Sequence, residues 1–230
     1  MTWLWISAVI ALDGAAGLVG ALLPDRWLTR YHVIFLGFAT GALLATALGD
    51  LLPEAIARGG PRMLLWAFAA IAILAMAEWL TARRYHRHER RVVPIALLGA
   101  DALHNFGDGM AIASAFLVST RLGLVTSIAV ITHELPEELA AYALLRTTGL
   151  PRRTALSWLA AVQLTAGAGA AATWLVSSLL APAQDVILAI AGGTFVHIAA
   201  VDLLPAVFRT RRVSAFIACA AGALGLLALR

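Results

Sequence analysis

The chain has 230 residues, of which 61% are apolar and only 13% charged. Soluble domains average about half and about a quarter, so this chain has too few polar groups to cover a water-facing surface. Its formal net charge of +4 comes from 17 arginines and no lysine. The positions of these arginines, described below, account for the charge without a nucleic-acid partner.

A membrane span needs about 20 apolar residues, because the hydrocarbon core is about 30 Å thick and a helix rises about 1.5 Å per residue. Arginine and proline clusters divide the chain into eight such stretches, near 3–23, 31–54, 63–82, 94–118, 122–145, 153–180, 184–208 and 213–229. These runs are continuous and rich in alanine, leucine and glycine. Strands of a membrane barrel would instead alternate apolar and polar residues. The expectation is an all-α integral membrane protein with a single transmembrane domain over 1–230. The first stretch lacks a basic leader and holds Asp13 among its apolar residues, which argues against a secretory signal. Cys219 is the single cysteine, so neither a disulfide framework nor a thiolate metal cluster is expected.

With the N-terminus away from the cytoplasm, thirteen arginines fall in cytoplasmic loops and four on the opposite side. This positive-inside bias places both termini outside. An all-arginine basic set suggests a GC-rich genome and a bacterial inner membrane.

The second and seventh spans resemble one another. GFATGALLATALGDLLPEA at 37–55 aligns without gaps with AIAGGTFVHIAAVDLLPAV at 189–207, matching Gly41 with Gly193 and Asp50 with Asp202. In the eight-span topology these segments run in opposite directions. That predicts an inverted repeat of helices 1–3 and 6–8 around a central pair, a 3+2+3 arrangement.

The chemistry lies in that central pair, which carries HNFGDG at 104–109 and HELPEE at 133–138. Residues three or four apart share a helix face. His104, Asn105 and Asp108 therefore project together, as do His133, Glu134, Glu137 and Glu138. The short STRLG connection at 119–123 makes the two helices antiparallel neighbours, so the faces can meet. Such a gathering of carboxylates and imidazoles, with no cationic side chain in either segment, calls for bound cations. Imidazole and carboxylate without thiolate suit zinc, iron, manganese, cobalt or nickel. Pro136 removes a backbone N–H and frees the Thr132 carbonyl, while Gly107 and Gly109 permit close approach or local unwinding.

This pair of motifs resembles the fourth- and fifth-helix signatures of the ZIP (Zrt/Irt-like) metal transporters, in particular the subgroup whose fifth helix reads His-Glu-x-Pro-His-Glu. The resemblance covers essentially the whole chain. It implies one metal site from His104, Asp108, His133 and Glu137, and an adjacent site from Asn105, Asp108, Glu134 and Glu137. It further implies a homodimer, uptake into the cytoplasm and alternating access. Glu137 stands where the signature usually has its second histidine. The site is therefore harder and more anionic, and iron, manganese or cadmium join zinc as expected cargo. Some members add an acidic ligand from the sixth helix, where this chain offers Gln163. No organic cofactor is implied.

Further residues with ligand chemistry are Glu138, Asp50, Asp202 and His197, each of which also has a packing or interfacial reading. Glu78 is placed to pair with cytoplasmic arginines. The RRYHRHERR segment at 83–91 suits anionic lipid, although His86 and His88 could sample metal. Gly37-x-x-x-Gly41 permits close helix packing. Two rival readings remain, an intramembrane metal-dependent hydrolase and a sensor that binds metal without moving it. The HExxH zinc-hydrolase pattern fails, because Glu137 occupies its final position.

Overall fold

Eight continuous helical stretches make up the computed structural model, which describes residues 2–22, 25–85, 93–147, 149–179 and 181–229; no strand occurs among them. We number them α1 (Thr2–Leu22), α2 (25–59), α3 (Met63–Tyr85), α4 (Val93–Val118), α5 (Thr120–Thr147), α6 (Arg152–Leu179), α7 (181–210) and α8 (Val213–Ala228). Each coincides with an expected span, and most run a residue or more beyond it. Four segments are long and apolar enough to cross a membrane, at Tyr31–Gly59, Met63–Leu80, Arg152–Ser177 and Ala183–Thr210. Thr2–Ala16 of α1 and the whole of α8 are shorter apolar helices, and the charged centre of the molecule lies on α4 and α5.

Backbone irregularity is found elsewhere than expected. The helices α4 and α5 stay α-helical through Gly107, Gly109 and Pro136, with no unwinding. Instead, α2 and α7 each contain a π-helical turn, at Ala47–Leu51 and Ile198–Leu203. A π turn inserts a residue into the helical ladder and rotates everything beyond it. The two turns fall on aligned positions of the repeat and carry its two aspartates, Asp50 and Asp202. The 119–123 connection is also tighter than expected. Only Ser119 separates α4 from α5, and its Oγ accepts the Leu122 N–H at 3.1 Å, which caps the new helix.

The helix pairings themselves have a repeat. The helix α2 packs on α8 while α7 packs on α3; α4 packs on α6 while α5 packs on α1; α2 meets α5 while α7 meets α4. Exchanging one with six, two with seven, three with eight and four with five maps each pair onto its counterpart. Glycines set the close approaches. A Cβ at Gly41 would strike the Cys219 carbonyl on α8, and one at the aligned Gly193 would strike the Ala67 carbonyl on α3. Gly37 likewise abuts Ala215, so the Gly37–Gly41 motif is used inside the chain.

The main core lies between α2, α4, α5 and α7, built from small residues such as Ala42, Ala111, Ala115 and Ala129 with Leu43, Ile112, Phe116, Leu188 and Phe195. It occupies the turns next to 104–108 on α4 and 133–138 on α5, so the polar residues of these helices adjoin a dry, close-packed wall.

Candidate metal centre

On α4, the i,i+4 spacing stacks His104 over Asp108 with His104 Nε2 3.5 Å from Asp108 Oδ2. On α5, His133 points across the same gap, its Nε2 3.0 Å from His104 Nε2 and 3.1 Å from Asp108 Oδ2. His133 Nδ1 lies 3.1 Å from the Ala129 carbonyl. Donation of Nδ1–H to that carbonyl fixes the tautomer and leaves the Nε2 lone pair directed into the gap. Glu134 completes the set. One ligand atom from each of His104, Asp108, His133 and Glu134 lies within 4.8 Å of the others. Asp108, His133 and Glu134 are buried, and His104 is nearly so.

Separations of 3.0–3.5 Å among the His104, Asp108 and His133 atoms match the edge of a tetrahedron whose centre is about 2 Å from each corner, the usual zinc–nitrogen and zinc–oxygen distance. The arrangement can thus hold a divalent cation with little movement.

The six residues expected at the site divide into three groups. His104, Asp108 and His133 converge. Glu137 reaches only the outer edge, with Oε2 3.1 Å from His104 Nε2 and a side chain 38% exposed, and Glu134 takes its place in the compact set. Asn105 is buried but engages its own helix: Nδ2 donates to the carbonyl and the side chain of Asp101, at 3.2 and 3.3 Å. Gln163, on α6, donates to Glu134 Oε2 at 2.9 Å and to Glu138 Oε1 at 2.5 Å, so both additional residues border the centre.

The other three additional candidates do not join it. Asp50 lines a hollow of about 440 Å³ with Pro53, Glu54, Arg121 and Val125, and no residue of 104–108 or 133–138 borders that hollow. His197 and Asp202 instead form a second group with Glu78, where His197 Nε2 is 2.7 Å from Glu78 Oε1. Glu78 therefore has a histidine partner from α7, and the side chains of the arginines expected to pair with it lie outside the described residues. His86 and His88 lie outside the described residues.

One residue near the centre was seen in the sequence only as an oddity. Asp13 on α1 is fully buried, neither carboxylate oxygen has a hydrogen-bond partner, and it interacts electrostatically with Asp108 and Glu134. The signal that could have placed it there was an acid within an otherwise apolar span.

Close packing holds these elements in register. A Cβ at Gly109 would strike the Ala166 carbonyl on α6, and one at Gly169 would strike the Phe106 carbonyl on α4. Thr165 Oγ1 donates to the Ala102 carbonyl at 2.8 Å across the same seam. With α4 and α6 backbone to backbone, Gln163 comes within reach of Glu134.

Apolar helices around a buried nitrogen–oxygen ligand set define a helical integral membrane protein with a polar centre. Residues 77–230, about two thirds of the chain, match the model of the ZIP Zinc transporter family, and the chain belongs to that family. It is 42% identical over 123 residues to human Zinc transporter ZIP4, which covers 54% of this chain and 19% of that protein. Human Zinc transporter ZIP6 is 35% identical over 128 residues, covering 54% and 17%. Rat Metal cation symporter ZIP8 is 39% identical over 105 residues, covering 46% and 22%. The chain thus spans about a fifth of the length of these relatives.

Proposed function

We propose that this chain carries divalent transition-metal ions through a membrane into the cytoplasm, with zinc the first cargo and iron, manganese or cadmium close behind. The observation that carries this reading is the convergence of His104, Asp108, His133 and Glu134 from two adjacent helices at the middle of the bundle. Buried carboxylates that lack a cationic partner are costly unless an ion or a proton neutralises them, and imidazole nitrogens select transition metals over calcium. Glu137 at the rim is placed to meet the ion first. The relatives' names support the same cargo: two are called zinc transporters and one a metal cation symporter.

Two features favour movement of the ion over fixed binding. The exchanged helix pairings support an inverted repeat, the architecture in which two related halves give access to a midplane site from either side. In addition, α2 and α7 carry π turns, which are frequent at functional sites. We further propose a homodimer in a bacterial inner membrane with both termini outside.

The test is metal uptake into liposomes holding the purified protein, with competition among zinc, iron, manganese and cadmium. The expected result is uptake that His104→Ala or Glu137→Ala reduces. Metal binding without flux under any imposed gradient would refute transport and leave the sensor reading.

A further inference from the structure

The group formed by Glu78, His197 and Asp202 takes no part in the central set, yet it has ligand geometry of its own. His197 Nε2 is 2.7 Å from Glu78 Oε1, and one ligand atom from each of the three lies within 4.8 Å of the others. His197 is buried, whereas Glu78 and Asp202 are exposed. An imidazole anchored in the protein thus meets two accessible carboxylates.

The π turn of α7 makes this convergence possible. His197 and Asp202 are five residues apart, and an α-helix of 3.6 residues per turn would set them about 140° apart. The turn at Ile198–Leu203 lies between them, and its i→i+5 bonding returns residues five apart to one face. The helix α3 packs along α7 and supplies Glu78. The other half of the repeat has the same kind of turn without the ligands. The position aligned with His197 is Ala45, and α8, the counterpart of α3, holds no acidic residue. The repeated architecture therefore stands without this group, so its presence in one half calls for a separate role.

Glu78 precedes Arg83 and Arg84 by five and six residues, about 7–9 Å of helical rise. In the proposed topology the group lies near the cytoplasmic interface, open to ions that have not passed the His104 set.

We propose that Glu78, His197 and Asp202 bind a divalent transition-metal ion that clips α3 to α7. One imidazole and two carboxylates without thiolate suit zinc, iron, manganese or cobalt, and three protein ligands leave a position for water. Occupancy of this clip requires no flux through the His104 set. Asp202 also interacts electrostatically with Glu137 and His104. Each ion is therefore felt at the other site, and ion counts separate the two sites better than affinities do.

Two measurements on the purified full chain test this. In equilibrium dialysis against Zn2+, His197→Ala should bind one ion fewer than the unmodified chain, and adding His133→Ala should remove a further ion. The ligand itself is tested by titrating Glu78→Cys, in a Cys219→Ser background, with Co2+. A thiolate bound to Co2+ gives a near-ultraviolet charge-transfer band, which a carboxylate does not. The band should appear and persist when His133→Ala is added. Adding His197→Ala instead should raise the Co2+ needed for it roughly tenfold or more, since losing a ligand costs at least as much as losing its supporting partner. An ion count unchanged by His197→Ala, or Co2+ binding without the band, would overturn the proposal. If His197→Ala does not fold, the band in Glu78→Cys decides alone. Zinc held at both sites with no flux would refute transport and uphold the clip.

Discussion

Asp108 is the residue on which both imidazoles lean, with its Oδ2 3.5 Å from His104 and 3.1 Å from His133. Replacing it by asparagine keeps the shape and removes the charge. Asp108→Asn should therefore lower zinc uptake and affinity roughly ten- to a hundredfold while leaving the helical content unchanged, as circular dichroism would check. The contrast is Arg58, which donates to Asp185 at 2.7 Å and links the ends of α2 and α7 at the surface. An exposed pair of this kind contributes about 0–1 kcal/mol. Arg58→Ala should shift thermal unfolding only slightly and leave uptake intact, measured on the same preparations. A close ion pair and a functional one are thus separated by burial, not by distance. In the sequence, the ligand types and their helical spacing were legible at this scale. What it could not reveal was that Glu134 would sit inside the set and Glu137 at its rim, because adjacent turns of one helix differ only in what faces them.

Among the helices, the seam between α4 and α6 controls the site. Gly109 and Gly169 meet backbone carbonyls across it, whereas a Cβ at Gly107 would meet nothing. Gly109→Ala should therefore force the helices apart, at a cost of about 1–3 kcal/mol, and loosen the Gln163–Glu134 contact. Gly107→Ala should be neutral or stabilise by up to about 1 kcal/mol, since alanine is the better helix former. Thermal melts in detergent together with uptake would distinguish the pair, although the two glycines flank the same aspartate. Composition and span length located all eight helices, because the hydrocarbon requirement for continuous apolar runs is written directly into the chain. The π turns were not legible. Apart from Gly49, nothing in ALGDL or IAAVDL disfavours a helix by propensity, and the extra residue is accommodated by packing against neighbouring helices. The reverse held at Gly107, Gly109 and Pro136, where breaker residues sit in unbroken helix; at Gly109 close packing on α6 holds the backbone.

For the molecule as a whole, the arginine asymmetry predicts sidedness. In a Cys219→Ser background, Arg62→Cys between α2 and α3 should react with a membrane-impermeant maleimide from the outer face. Arg211→Cys between α7 and α8 should react only after the membrane is permeabilised. Labelling of both from one side would refute the alternating topology. In the eight-span topology Trp3, Trp5, Trp66 and Trp174 lie toward one interface and Trp79 and Trp158 toward the other, and all six are exposed. Trp3 and Trp174 stack edge to face with centroids 5.4 Å apart, joining the N-terminal end of α1 to the C-terminal end of α6. Interfacial aromatic belts of this kind anchor helices in a bilayer.

By itself the sequence determined the solvent of this protein, the number and limits of its helices, and the chemistry of 104–108 and 133–138, since each depends on composition or on spacing within one helix. Only the tertiary structure decided which side chains from different helices share a volume. It brought Gln163 to Glu134 and Glu138, paired His197 with Glu78 away from the centre, kept Asn105 on Asp101, and buried Asp13 beside the ligands. These partnerships link residues far apart along the chain. They depend on glycine seams and on rotation beyond the π turns, quantities that no local pattern encodes.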